Sequence, residues 1–168
     1  MRPLYKGLIL MALHVAIVCS LGAKLLYDRA TCPRVWVQSA PVDPDLFIRG
    51  RYVQLGILVE VEDPRRGYPV RLFVEDNRLI ARRVAGFGGA GPVHTQPLRR
   101  DLIRPGEQAQ ALLQPPLAFF IPDYVPDPSV RPEGEELWVE VTVPKKGPPR
   151  PIRLGVKKNG VITPLEFN

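Results

Sequence analysis

Beyond residue 34 the chain holds one histidine, His94, and two serines, Ser39 and Ser129. A Ser-His-Asp triad would have to be drawn from these, and neither serine sits in a Gly-x-Ser-x-Gly elbow. Gly86-Phe87-Gly88-Gly89-Ala90-Gly91 spells GxGxxG. A dinucleotide site needs a helix to begin there, so that its first N–H groups face the pyrophosphate. Pro92 and Pro97 follow instead, and the stretch reads as a loop that holds no cofactor. Zinc requires clustered Cys and His, which the sequence lacks. Glu60, Glu62 and Asp63 could approach calcium, but carboxylates two apart on a strand ordinarily just solvate its exposed face. No residues are therefore assigned to catalysis, to a cofactor or to a metal.

Aromatic residues offer binding chemistry instead. Phe119-Phe120-Ile121 beside Asp123-Tyr124 would make an aromatic docking surface. At least one of the two Phe rings belongs to the core, because neighbours on a strand point to opposite faces. Trp36 and Trp138 fall on strands, opposite the inward residues beside them, and an exposed indole there is an interaction anchor.

The N-terminal segment decides where such a surface works. From Gly7 to Ala23 no side chain carries a fixed charge, Arg2 and Lys6 stand just ahead, and Lys24 can extend its stem through Leu25 and Leu26. About 17–20 apolar residues suffice to cross a bilayer. Residues 7–27 thus read as a transmembrane anchor following a cytoplasmic stub, residues 1–6. Basic residues ahead of the span keep the N-terminus in the cytoplasm and export the chain beyond Lys24. Cleavage after Gly22, at Ser20-Leu21-Gly22, is the alternative and would release a secreted binding domain. His14 reads as a neutral ring tolerated within the anchor.

The formal charge of +6 is not a nucleic-acid footprint. Residues 1–34 hold Arg2, Lys6, Lys24, Arg29 and Arg34 against Asp28, while the rest holds 18 basic and 16 acidic residues. Most of the excess is a topology signal beside the membrane, and the basic doublets elsewhere are interleaved with acids. The two cysteines, Cys19 and Cys32, leave the exported part without an internal disulfide, so its core alone must stabilise it. Cys32 could cross-link two anchored chains into a dimer.

Nineteen of the 20 prolines lie from Pro33 onward, which excludes long helices there. Apolar residues alternate with period two instead. In Arg51–Glu62, residues Val53, Leu55, Ile57, Val59 and Val61 share one face, as expected of an antiparallel strand with one buried side. Tyr68–Val74 alternates likewise. A two-residue loop at Asp76-Asn77 would pair Val74 with Leu79, at the cost of setting Arg71 opposite Arg82. Leu137, Val139, Val141 and Val143 point inward. Asn159-Gly160 is a type I′ hairpin signal that pairs Val156 with Thr163 and Leu154 with Leu165. Pro164 then lacks its N–H on the outer side, which makes Val161–Phe167 an edge strand with one donor blunted and the outward N–H of Ile162 still available to a partner strand. The fold expected is one transmembrane helix followed by a mostly antiparallel β-domain, a sandwich or half-open barrel. Residues 28–39 form a membrane-proximal linker and first strand, and residues 40–168 the domain.

Residues 40–55, APVDPDLFIRGRYVQL, resemble the signature of the GDYXXLXY family of membrane-anchored bacterial proteins. Pro41, Asp43, Pro44, Leu46, Arg49, Gly50, Tyr52 and Leu55 stand where that pattern wants them, with Arg51 in place of its Asp and Ile57 in place of its final Tyr. Phe119-Phe120-Ile121-Pro122-Asp123 resembles the family's aromatic-Ile-Pro-acidic element. The resemblance implies a domain facing the periplasm or cell exterior and anchored in the cytoplasmic membrane, as an accessory to an integral membrane protein. The Gly50–Val53 element is also similar to one in membrane-bound signal peptidases, whose Ser/Lys pair would map to Ser39 and Lys145. The Ser-x-x-Pro context of those enzymes is missing here.

Overall fold

Pro3 opens the helix at the position where its missing N–H costs nothing, and Pro33 prevents continuation at the other end. The computed structural model describes residues 3–42, 52–62, 67–84, 93–98, 109–145 and 147–167. Helix α1 spans Pro3–Thr31, 29 residues, or about 43 Å at 1.5 Å per residue. It is long and apolar enough to cross a membrane, and Leu8, Ile9, Leu10, Met11, Leu13, Val15, Ile17, Val18, Leu21 and Leu26 are all exposed. Three of its polar side chains, His14, Ser20 and Thr31, bond to carbonyls of the preceding turn. His14 Nδ1 meets the Leu10 carbonyl at 2.7 Å, and Ser20 Oγ donates to the Ile17 carbonyl at 2.8 Å. Residues 28–31 complete the helix, Cys32 and Pro33 follow, and the first strand begins at Arg34. The chain divides into two units, Met1–Cys32 and Pro33–Asn168, so the β-domain begins earlier than residue 40.

Ten strands come after it among the described residues: β1 (Arg34–Pro41), β2 (Tyr52–Val61), β3 (Val70–Glu75), β4 (Arg78–Arg83), β5 (His94–Pro97), β6 (Gln110–Gln114), β7 (Leu117–Phe120), β8 (Glu135–Thr142), β9 (Arg150–Lys158) and β10 (Val161–Pro164). They form one curled, mostly antiparallel sheet, a half-open barrel, with the order β10-β9-β8-β1-β2-β4-β3 and with β6 and β7 also on β2. Strand β2 organises it. Leu55 pairs with Pro41 of β1 and Leu117 of β7, while Glu60 pairs with Ile80 of β4 and Gln110 of β6. Because β6 and β7 are consecutive, they share one edge of β2, and β1 and β4 share the other.

The β2–β4 pairing is parallel, which period-two alternation cannot reveal. Strand β2 is therefore mixed rather than purely antiparallel. One half of the sheet closes on itself: Pro69 bridges His94, Val70 N–H donates to Val93 O, and Thr95 N–H donates to Tyr68 O. These bonds join the start of β3 to β5 and complete the ring β2-β4-β3-β5-β6. In the other half, from β10 to β7, no strand pairing joins the two ends among the described residues, and Phe119 and Phe167 meet there at 6.1 Å between ring centroids. A continuous core runs through both halves, centred on Leu55, Ile57, Val59, Leu113, Val139 and Leu154.

The hairpin registers obey the turn chemistry. Asp76 and Asn77 have φ of 48° and 60°, and Val74 pairs with Leu79. Arg71 does face Arg82, but Arg82 is held by Glu75 at 2.8 Å and lies over the Phe73 ring, which offsets the like charge. Asn159 and Gly160 also have positive φ, Val156 pairs with Thr163, and Pro164 faces Gly155. Leu165 N–H donates to Leu154 O, so the pairing continues past the last assigned strand residue.

Candidate functional site

Strand parity separates the candidate residues into two faces. Leu55 is fully buried, whereas Tyr52 is half-buried on the outer face. Pro41 ends β1, opposite Leu55. Asp43, Pro44, Leu46, Arg49, Gly50 and Arg51 lie outside the described residues, as does the Gly86–Gly91 stretch. The two segments that carry the family resemblance are neighbours in the sheet: Tyr52 pairs with Phe120 and Val53 with Phe119. Phe119 turns inward onto Phe167, while Phe120 is exposed and meets Tyr52 in a tilted contact, 6.2 Å between ring centroids. Tyr124, also exposed, lies in the turn after β7. Ile162 is half-buried, because its Cγ2 packs over Gly155. Its side chain is thus part of the outer-face packing, and any recognition by this residue would fall to its backbone.

The geometry keeps the Ser/Lys pair apart. Ser39 is buried on the inner face, and five residues of β1, about 16 Å, separate it from Arg34. Arg34 pairs with Thr142, and Lys145 lies beyond that point on an exposed turn. Ser129 is engaged with Asp127 at 2.7 Å, and His94 is exposed on β5. Glu60 forms an ion pair with Arg78 at 3.5 Å, and no cluster of three metal-binding side chains occurs among the described residues.

A concave site arises from the way β1 and β4 share an edge of β2. The β1–β2 pairing ends at Ser39–Ile57, and β4 takes over at Glu60, so the sheet forks around Leu58. The fork opens into a groove of about 180 Å³ on the outer face, lined by Trp36, Gln38, Leu58, Glu60, Arg78 and Trp138 together with Asn77 and Gln110. Outward parity on β1, β2, β6 and β8 directs these side chains into it. Period-two reading put both tryptophans on the outward faces, but only the fork brings them to one groove.

The tryptophans are held from outside. Arg153 lies 5.4 Å from the Trp36 ring centre, and Lys157 lies 4.3 Å from that of Trp138. Trp138 Nε1 donates to Glu136 at 3.1 Å. Arg153 is fixed in turn by Glu140, 2.6 Å from its Nε. Glu140 is the most buried acid of the domain's described residues, and register explains the arrangement: Trp36, Glu140 and Arg153 lie side by side on β1, β8 and β9. Comparison with protein-family models, curated proteins and solved structures finds no match for this chain.

Proposed function

We propose that this protein is a membrane-anchored interaction module that works outside the cytoplasmic membrane of a bacterium as an accessory to an integral membrane protein complex. One observation carries the anchoring. The apolar side chains of α1 have nothing of their own unit to cover them, and a surface of that size is stable only in lipid or against another apolar helix. The basic residues Arg2 and Lys6 support a cytoplasmic N-terminus and an exported β-domain. The resemblance to the GDYXXLXY family points the same way, and the outward aromatic residues of the β-domain supply surface for recognition.

The test is fractionation with thiol labelling of the intact chain. The protein should stay in the membrane fraction after alkaline carbonate extraction. Cys32 should react with a membrane-impermeant maleimide added outside the cytoplasmic membrane, while Cys19 stays protected. Extraction into the soluble fraction would refute the anchor, and labelling of Cys32 only from the cytoplasmic side would reverse the orientation.

A further inference from the structure

The groove at the β1–β4 fork has a lining that selects a class of ligand. It carries no net charge, because Glu60 and Arg78 neutralise each other and the remaining polar groups, Gln38, Asn77 and Gln110, are amides. A phosphate or a polycationic segment gains little from such a lining, since strong recognition of either needs an excess of the opposite charge. Each amide instead offers two donors and an acceptor, and the carboxylate and guanidinium add charged acceptors and donors beside them. Two indoles on the adjacent strands β1 and β8 border these polar groups, and indole surface packs well against flat, apolar ligand surface. A ligand matching both features has adjacent hydroxyl groups around its rim and C–H groups on its faces. A sugar ring is built that way.

We propose that the groove binds a neutral saccharide, with Trp36 and Trp138 packing against its C–H surface and Gln38, Gln110 and the Glu60–Arg78 pair bonding its hydroxyls. This rests on the reading of the β-domain as a binding module. The lining is preorganised: Arg153 and Glu140 hold Trp36, Lys157 and Glu136 hold Trp138, and Trp36 rests directly on Gly155. Side chains fixed before the ligand arrives lose little entropy on binding. A groove of about 180 Å³ that opens to solvent suits one ring of an oligosaccharide whose other units run along the sheet.

The chain contains two tryptophans, and both line the groove, so tryptophan emission excited at wavelengths where tyrosine does not absorb reports on this site. The full-length protein, in a detergent without a sugar headgroup, is titrated with cellotetraose, chitotetraose and maltotetraose, and with tetra-alanine as a peptide control. At least one tetrasaccharide should shift the emission saturably, and tetra-alanine should not. Gln38→Leu and Gln110→Leu, which keep side-chain size on the outer face, should each weaken that binding roughly tenfold with no change in unfolding midpoint. The proposal is overturned if no tetrasaccharide shifts the emission, or if binding persists undiminished in both variants. A saturable response to tetra-alanine alone would make the groove a peptide site and equally overturn it. None of these failures touches the anchored-module reading, which membrane retention and thiol labelling test separately.

Discussion

Replacing Gly155 with alanine tests the arrangement of the outer face directly. A Cβ built at Gly155 would lie 2.8 Å from Trp36 Cζ3, 3.0 Å from Trp36 Cη2 and 3.1 Å from Ile162 Cγ2. Carbon atoms pack favourably at about 3.5–4.0 Å, so the indole must retreat by roughly 0.5–1 Å. Its retreat is resisted by Arg153, which is itself tied to Glu140. Overpacking of this kind costs about 1–3 kcal/mol. Alanine recovers about 0.5–1 kcal/mol of the backbone entropy that glycine loses in a strand. The net destabilisation is at most about 2.5 kcal/mol and centred near about 1 kcal/mol, or a fall in melting temperature of roughly 3–5 °C at that centre for a domain of this size. Thermal unfolding followed by circular dichroism measures it, and the tryptophan emission of the folded variant should shift, because Trp36 moves. Trp36→Leu should relieve the clash, so the two substitutions should couple by at least about 0.5 kcal/mol in a double-mutant cycle. An unchanged or raised melting temperature for Gly155→Ala, with no coupling to Trp36, would refute this account of the face.

Arg153→Met should destabilise by about 1–3 kcal/mol in chemical denaturation, since it leaves the nearly buried Glu140 without its charged partner, and Glu140→Gln in the same chain should restore part of the loss. Gly160→Val should cost about 1–3 kcal/mol, because φ of +81° strains any β-branched residue; Gly160→Asn should be milder, and equal effects from the two would argue against the turn. Glu75→Gln should cost less than about 1 kcal/mol, because both Glu75 and Arg82 are largely exposed, and the loss should shrink as salt is added. Ile162→Pro removes the last outward N–H of β10 but also the side chain packed over Gly155. A measurable fall in melting temperature is therefore expected, and binding data on this variant should be compared with Ile162→Ala.

Local physics made much of this protein readable from its sequence. The charge-free run of residues 7–23 reads as a long apolar helix, and one spans it, because a helix bonds its backbone within a single segment whatever surrounds it. Period-two alternation identified the inward faces of β2, β3 and β8, since side-chain direction in a strand depends on parity alone. Asp76-Asn77 and Asn159-Gly160 set their registers, because residues that tolerate positive φ select two-residue turns and a turn fixes every pair beyond it. The short strands β5 and β7 were less legible: four residues between prolines and glycines carry too little pattern to stand out. The parallel β2–β4 pairing and the link between Pro69 and His94 left no local trace, because non-local pairing depends on which distant segments meet and not on the periodicity of either. The groove has the same origin. Sequence parity placed Trp36 and Trp138 on outer faces, where either could have stood alone. The fork at Leu58 joined them with Gln38, Gln110 and the Glu60–Arg78 pair, because two strands far apart in the chain compete there for one edge of a third. That competition exists only in the folded sheet.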